Sequence, residues 1–235
     1  MLKSLLTLPL TKGLDIDDPR ATSLRKQIIK EKPFLKKIYD EWYREITEEF
    51  IDVQAPILEI GSGAGDLSES LRVITSDLVA YSNIQIVLNG QELPFSENSL
   101  KGIVLIGVLH HLPNPWSFLR EATRCVVPGG KMFLMEPWVT AWSNLIYRHF
   151  HHEPFDPEAK DWEFETTGPL AGANQALSWI IFSRDRERFE KEFPEWRIER
   201  IEPRMPFRYL LSGGFSFRSF MPGWSHEAWR TFENC

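Results

Sequence analysis

Cysteine is scarce in this sequence, which has only Cys125 and Cys235 among its 235 residues. Two thiols cannot form a disulfide framework or a four-thiolate zinc site, and their scarcity favours a reducing cytoplasm. The run from Ile103 to Leu109, the longest apolar run near the centre, is far shorter than the about 20 residues of a membrane span. Met1 to Leu10 is interrupted by polar residues and proline, so we expect no signal peptide. A soluble, cytoplasmic protein is the expectation.

An excess of basic residues is also missing. The 27 Lys and Arg against 33 Asp and Glu give a net charge of −6 and a sequence pI near 5.6. Broad, non-specific nucleic-acid binding needs a basic face, so we expect no nucleic-acid partner. Hydrophobic residues make up 43% of the chain and charged residues 26%, which is typical of a globular protein with a large core. The length fits one domain with an elaboration or two small domains.

The N-terminal part of the chain has a helical pattern. Apolar side chains recur at three- and four-residue steps within residues 23–50, with an interruption at Pro33. Tyr39 and Tyr43 flank this apolar stripe. Either the stripe packs on the core, or the tyrosines belong to an aromatic lid over a ligand. We assign residues 1–54 to an N-terminal helical lid and take both tyrosines as candidate substrate contacts.

From Pro56 onward, short apolar runs alternate with helical patterns. Strands are expected at Ile57–Ile60, Val73–Ser76, Ile84–Leu88, Ile103–Val108 and Lys131–Met135, with a helix over Pro115–Cys125. Such alternation predicts an α/β fold in which helices cover both faces of a parallel sheet. We expect residues 55–137 to form this core.

The last third of the chain is rich in aromatic residues. Residues 138–235 hold 20 of the 30 Phe, Trp and Tyr. We expect a cap or substrate-binding insertion over residues 138–182. The alternating pattern over Trp196–Ile201 predicts a strand, so residues 183–235 are expected to complete the sheet.

A glycine-rich turn directly follows the first predicted strand. Gly61, Gly63 and Gly65 alternate before a helical pattern, and their missing side chains would let a ligand approach main-chain N–H groups. A dinucleotide fingerprint would have Gly or Ala where Asp66 stands, so the spacing disfavours NAD and FAD and favours a nucleoside without phosphates. Asp77 ends the second predicted strand, where a carboxylate can accept both hydroxyls of a ribose. An ordinary glycine turn and a surface or helix-capping Asp are the alternatives.

Three further segments follow in order: Asn89–Phe95 (N-G-Q-E-L-P-F), Val108–Pro115 with a histidine pair, and Pro128–Lys131 (P-G-G-K). Together with the glycine turn, they make residues 55–137 resemble the class I S-adenosylmethionine-dependent methyltransferases. The similarity is to the branch that includes ubiquinone/menaquinone and type 11 methyltransferases. It implies a Rossmann-like, mostly parallel seven-stranded sheet, and S-adenosylmethionine as the cofactor, with S-adenosylhomocysteine as its product.

The resemblance also implies where the cofactor binds. The implied contacts are Glu59, Gly61, Ser62, Gly63, Gly65, Asp77, Leu78, Asn89, Gly90, Gln91, Ile106 and Gly107. The glycine turn would hold the methionine end, Asp77 the ribose, and the Gly90 or Gln91 N–H the adenine ring. Asn89 stands where the family usually has Asp, and its side-chain oxygen would accept from the adenine amino group without a charge. The end of the fourth strand would pass beside the sulfonium.

The implied reaction is methyl transfer, and an oxygen acceptor needs a base. His110 and His111 lie at the carboxyl edge of the predicted sheet and are the candidate catalytic residues. His111 matches a recurrent histidine of the family, and hydrogen bonding within the loop is its alternative role. A second group, H-x-H-H-E over residues 149–153, matches no strong metal-site spacing. We therefore expect no metal and assign His149 to substrate recognition.

Arginines stand among the apolar residues of the C-terminal segment. Arginine binds carboxylate or phosphate well, so Arg208 is a candidate contact for an anionic group on the acceptor. Contact with a membrane surface and a buried hairpin with exposed arginines are alternatives. We expect methylation of a small molecule, first a sugar or glycan-precursor hydroxyl. Quinone-type carbon methylation and non-catalytic binding of S-adenosylmethionine stay open, and the oligomeric state is not predicted.

Overall fold

A computed structural model describes residues 8, 19–50, 56–63, 67–80, 83–151, 153–166, 172–215 and 217–234. Its strands are β1 (Ile57–Ile60), β2 (Val73–Asp77), β3 (Ile86–Val87), β4 (Leu100–Ile106) and β5 (Val126–Met135). Its α-helices are α1 (Pro19–Glu31), α2 (Pro33–Glu49), α3 (Pro115–Cys125), α4 (Ala141–Phe150), α5 (Leu177–Trp179), α6 (Arg186–Glu192), α7 (Arg208–Ser212) and α8 (His226–Glu233). Short 3₁₀ turns span Leu67–Glu69, Leu109–His111 and Gly223–Ser225, and a π-helix, Ile180–Arg184, follows α5.

The strands form one parallel sheet in the order β3-β2-β1-β4-β5. In chain order, the strands start with the central β1 and proceed outward to β3, after which the chain crosses to β4 on the other side of β1. The carboxyl ends of β1 and β4 are therefore neighbours at the point where the strand order reverses, which is where open α/β sheets bind ligands. The predicted Rossmann-like parallel core is confirmed.

Successive strand residues point to opposite faces of the sheet, and helices pack on both faces. On one face, Ile57 and Val104 share a buried cluster with Ile46 and Phe50, which belong to α2 and its C-terminal end. On the other face, a larger cluster joins the sheet to α3 and to the segment that contains α5, the π-helix and α6. The site at the carboxyl edge thus rests on a sheet that is packed from both sides.

The sheet has five strands in the described residues, not the expected seven. The expected completion by residues 183–235 is wrong, because the described part of that range forms α6, α7 and α8 but no strand. Trp196 and Ile198 both pack against the larger core cluster, and the Trp196 indole N–H donates to Thr123 Oγ1 at 2.7 Å. Side-chain burial, rather than strand pairing, explains the alternation there.

The aromatic-rich range 138–182 is divided between surface and core. Trp162 is 1% exposed and stacks on Trp116 of α3, with ring centroids 4.3 Å apart. The Arg188 guanidinium lies over both rings, at 4.7 and 4.8 Å. Most of α4 is exposed or half-buried, whereas α5 and the π-helix lie largely in the core. Among the helices of the described residues, none combines the length and apolar character needed to cross a membrane.

Candidate functional site

A left-handed glycine turns the chain at the carboxyl end of β1. Gly61 has φ +70°, and a Cβ there would lie 2.4 Å from Cγ2 of Val108, so a larger residue would be strained. The buried Ser62 hydroxyl donates to the Glu59 carbonyl at 3.2 Å and accepts the Ser76 N–H at 3.1 Å. Ser62 therefore ties β1 to β2, and its side chain is not directed at a ligand. Glu59 itself is buried within β1.

Asp77 connects the glycine turn to the end of β2. Its buried carboxylate accepts the Gly63 N–H at 3.1 Å and the Val79 N–H at 3.3 Å. Burial raises the pKa of Asp77, although the amides of Val79, Gly63 and Leu78 act against this rise. A carboxylate has about four acceptor positions, so each oxygen retains capacity for a hydroxyl donor. Leu78 is 38% exposed beside it, and Gly65 lies outside the described residues.

In the loop after β3, the side chains of Asn89 and Gln91 are held by hydrogen bonds within the protein. Asn89 Oδ1 accepts the Gln91 N–H at 3.0 Å and the Gln91 side-chain amide at 3.1 Å, which fills both acceptor positions of that oxygen. Gln91 Oε1 in turn accepts the Asn114 N–H at 2.9 Å. The expected adenine contacts of the Asn89 oxygen and the Gln91 N–H are therefore not offered in this structure. The buried Gly90 keeps its place as a predicted contact.

The chain also turns sharply at the end of β4. Gly107 follows Ile106 with φ +66°, and the next N–H groups converge on one buried carboxylate. Val108 and Leu109 donate to Glu136 Oε1 at 2.7 and 2.8 Å. Successive main-chain N–H groups of this kind bind anions. Here they bind Glu136, which directly follows β5.

Glu136 fixes the orientation of His110. Its Oε2 atom lies 2.6 Å from His110 Nδ1. Burial opposes ionisation of Glu136, but the charge and hydrogen bond of His110 and the amides of Leu109 and Val108 bring its pKa below the ordinary value. The Glu136 carboxylate accepts from Nδ1, so in the neutral form of the His110 ring Nε2 is the acceptor nitrogen.

The ring of His111, like that of His110, is oriented by a hydrogen bond at Nδ1, but its partner is a main-chain carbonyl. Its Nδ1 donates to the Gly172 carbonyl at 3.0 Å, which leaves Nε2 as the acceptor. Burial and then the neighbouring His110 lower the pKa of His111, against the opposing effect of Glu153. Glu153 Oε2 lies 4.0 Å from His110 Nε2, and Oε1 lies 4.0 Å from His111 Nε2. The structure thus brings both predicted histidines together with a carboxylate from the segment after α4.

The other predicted substrate contacts lie elsewhere. Tyr39 is buried between α1 and α2, with its ring 4.9 Å from Trp42 and 5.8 Å from Tyr43. It is a core residue, so the alternative that the stripe packs on the core is correct for Tyr39. Tyr43 is half-buried and packs against two core clusters. His149 is exposed on α4 and is not part of the group formed by the histidine pair and the carboxylate.

Arg208 is a structural residue rather than an anion receptor. Its side chain is 3% exposed, and its guanidinium donates to Glu41 at 2.6 and 3.2 Å and also to Glu233. His226 Nε2 lies 3.2 Å away. The expectation that Arg208 recognises an anionic group is wrong, because two carboxylates already occupy its donors.

Two carboxylates lie at this edge although the sequence alone does not place them there: Glu136 is not among the expected site residues, and Glu153 is considered only as part of the H-x-H-H-E group. Glu136 follows β5 directly, so the rule that selected Asp77 at the end of β2 could have selected it too. Glu153 is far from His110 and His111 in the sequence, and no spacing links it to them. Only the fold brings these three side chains together.

Family comparison agrees with this geometry. A family model described as "Methyltransferase domain", of type 11, matches residues 58–134. The matched residues include the glycine turn, Asp77 and both histidines at the carboxyl edge. Residues 58–134 are therefore a class I S-adenosylmethionine-dependent methyltransferase domain of the type 11 branch, and the cofactor of this family is S-adenosylmethionine.

A curated relative is the ubiquinone/menaquinone biosynthesis C-methyltransferase UbiE of Rickettsia prowazekii, 27% identical over 122 residues. The match covers 40% of this chain and 49% of the relative, so the chain spans about half the length of the curated relative it matches. A solved S-adenosylmethionine-dependent methyltransferase from Methanosarcina mazei is 20% identical, with a TM-score of 0.40 over 58% of this chain and 80% of that one. One from Aquifex aeolicus is 21% identical, with a TM-score of 0.32 over 37% and 58%.

Proposed function

We propose that this chain is an S-adenosylmethionine-dependent methyltransferase that acts on a small molecule. The observation that carries the proposal is the buried Asp77 carboxylate, which is bound to the turn over residues 61–63 at the carboxyl edge of a matched methyltransferase domain. Asp77 would accept the ribose hydroxyls, and the turn would hold the methionine end. When bound, S-adenosylmethionine supplies an electrophilic methyl group. Asp66 disfavours a pyrophosphate-bearing cofactor at the same turn.

The histidine pair supports an oxygen acceptor. A hydroxyl must lose its proton during methyl transfer, and a positioned group within hydrogen-bond reach accelerates that loss. His110, His111 and Glu153 place acceptor atoms together just past the end of β4. We therefore propose a hydroxyl of a sugar or glycan precursor as the acceptor, and we retain the cytoplasm as the predicted location.

A quinone-type carbon acceptor is the second candidate. Its support is the similarity to the UbiE protein, whose name specifies carbon methylation in ubiquinone and menaquinone biosynthesis. The same polar group would then deprotonate a ring hydroxyl and so activate the neighbouring carbon. Sugars and quinones differ strongly in polarity, so their methylated products separate between water and organic solvent.

Labelled methyl transfer tests the proposal. The purified chain is incubated with methyl-labelled S-adenosylmethionine and a small-molecule extract, and the label is followed into water-soluble and solvent-extractable fractions. We expect S-adenosylhomocysteine to form only with extract present, with the label in the water-soluble fraction. Label in the solvent fraction would favour the quinone-type acceptor. Cofactor binding without either product would contradict catalysis.

A further inference from the structure

We propose that His110, His111 and Glu153 form a binding site for a divalent transition-metal ion. One ligand atom from each of these three residues lies within 4.8 Å of the other two. Around a tetrahedral ion with bonds of about 2.1 Å, ligand atoms stand about 3.4 Å apart. The ligand atoms would therefore approach one another by about 0.6 to 1.4 Å when an ion enters, which rotation of their side-chain torsions can supply. Two imidazoles and a carboxylate suit zinc and other first-row metals.

The hydrogen bonds of the two rings direct acceptor atoms at one point. The Gly172 carbonyl can only accept, so a hydrogen of His111 lies on Nδ1, and the Glu136 carboxylate, which also accepts the Val108 and Leu109 amides, lies 2.6 Å from Nδ1 of His110 in the same arrangement. When both rings are neutral, their Nε2 atoms therefore present lone pairs to the oxygens of Glu153, each across 4.0 Å. Acceptor atoms that face one another in a mostly buried place repel each other. A cation between them would turn this repulsion into attraction.

Each of the three side chains is also oriented by a hydrogen bond to a neighbouring group. Metal-binding histidines usually donate their other ring N–H to a carboxylate or a backbone carbonyl, which fixes the ring and raises its basicity. The pairs are Glu136 with His110, the Gly172 carbonyl with His111, and the Gln175 side-chain amide with Glu153. The arrangement therefore extends beyond the three ligands themselves, as it does in protein metal sites.

The ion would have a place in the proposed reaction. Three protein ligands leave at least one coordination position open, and this position lies beside the end of β4, where the resemblance puts the reacting centre. An acceptor hydroxyl bound there would ionise more readily. This role rests on the proposed function, whereas binding of the ion does not.

Metal titration of the untagged, chelator-treated protein tests the site. We expect one Zn²⁺ per chain by calorimetry, and one Co²⁺ per chain by visible absorption, neither displaced by equimolar Mg²⁺, which prefers oxygen ligands. Glu153→Gln and His111→Ala should each weaken binding at least tenfold. Glu136→Gln, which changes the partner of His110 and of the Val108 and Leu109 amides but none of the three ligands, should weaken it by about 10–100-fold. His149→Ala, which changes an exposed histidine outside the group, is the matched control and should bind as the wild type does.

Substoichiometric binding, or equal affinity in the wild type and all variants, would overturn the proposal. Unfolding curves without metal show whether each variant is folded, and the nearly isosteric Glu153→Gln keeps the test valid if His111→Ala is unstable. S-Adenosylhomocysteine is titrated into the same samples. Zinc binding without S-adenosylhomocysteine binding would contradict the proposed function alone, and the reverse would contradict the metal site alone.

Discussion

The backbone conformation of a single residue, Gly61, determines the direction in which the chain leaves β1 and enters the site. Its φ of +70° lies in the left-handed region, and Val108 Cγ2 occupies the space that a Cβ would need. Val108 in turn begins the run of amides that holds Glu136. A residue with a side chain at position 61 would therefore disturb the ends of β1 and β4 together.

Gly61→Ala is expected to lower the free energy of unfolding by about 1–3 kcal/mol through backbone strain, with a further loss from the contact with Val108. Gly129→Ala is the matched control, because Gly129 has φ +77° but no atom within 4 Å of a built Cβ. Chemical denaturation of both variants measures the difference. Equal losses would show that the Val108 contact is unimportant.

At the scale of secondary-structure elements, strand positions could be read from the sequence and their number could not. Four of the predicted strands match β1, β2, β4 and β5 to within five residues at each end, because continuous apolar runs between helical patterns indicate buried parallel strands. The remaining predicted strand is shorter in the structure, where it covers Ile86–Val87. The pattern over Trp196–Ile201 reflects packing of alternate side chains against the core. An alternating sequence pattern indicates that every second side chain is buried, and such burial does not require pairing with a neighbouring strand.

The same limit applies to the site. The glycine turn and Asp77 could be predicted because motif and strand end are adjacent in the sequence. The occupied donors of Arg208 could not, because Glu41 and Glu233 come from α2 and α8. The group of His110, His111 and Glu153 also depends on contacts between distant segments.

Arg208 joins three helices, and its removal should destabilise the protein. Arg208→Ala would leave the buried Glu41 and Glu233 carboxylates without their main cation, which typically costs about 3–5 kcal/mol. Arg204→Ala removes a more exposed arginine paired with Glu45 and should cost about 1 kcal/mol or less. Thermal and denaturant unfolding measure both. A stable Arg208→Ala protein with weakened acceptor binding would instead restore the anion-recognition hypothesis.

Lys32 predicts a specific pH dependence of stability. Its ammonium donates to the carbonyls of Gly214 (2.5 Å) and Phe217 (2.8 Å), and burial lowers its pKa from 10.5 to about 8. Between about pH 8 and 10.5 the unfolded chain therefore binds more protons than the folded one, so the contribution of Lys32 to the free energy of unfolding rises with pH in this window. Lys32→Met should make the measured slope less positive there. An unchanged slope would contradict the lowered pKa.

At the scale of the whole molecule, the aromatic-rich segment contributes to the core that supports the site. Trp162 connects this segment to α3 by stacking on Trp116 and to the start of α6 through a 2.9 Å hydrogen bond from its indole N–H to Asp185. The segment that follows Trp162 supplies the Gly172 carbonyl for His111. Core packing and site geometry are therefore linked through one stretch of chain.

Trp162→Ala should cost about 3–5 kcal/mol, the range for truncating a large buried aromatic side chain. Trp224→Ala is the control, since Trp224 is 82% exposed and a surface change of this kind is usually within about 0.5 kcal/mol. Denaturant midpoints of the two variants give the comparison. Equal midpoints would contradict the role of Trp162 as a connection between the segment and the core.

The central claim, that the carboxyl edge of this sheet binds S-adenosylmethionine through Asp77, is tested most directly by calorimetry. S-Adenosylmethionine, S-adenosylhomocysteine and NAD are each titrated into the wild type and into Asp77→Asn, which keeps the size of the side chain but removes its charge. We expect both sulfur compounds to bind the wild type, NAD not to bind, and the variant to bind at least about tenfold more weakly, the loss typical of a hydrogen bond to a charged group. Absence of binding to the wild type, or equal binding to Asp77→Asn, would contradict the claim.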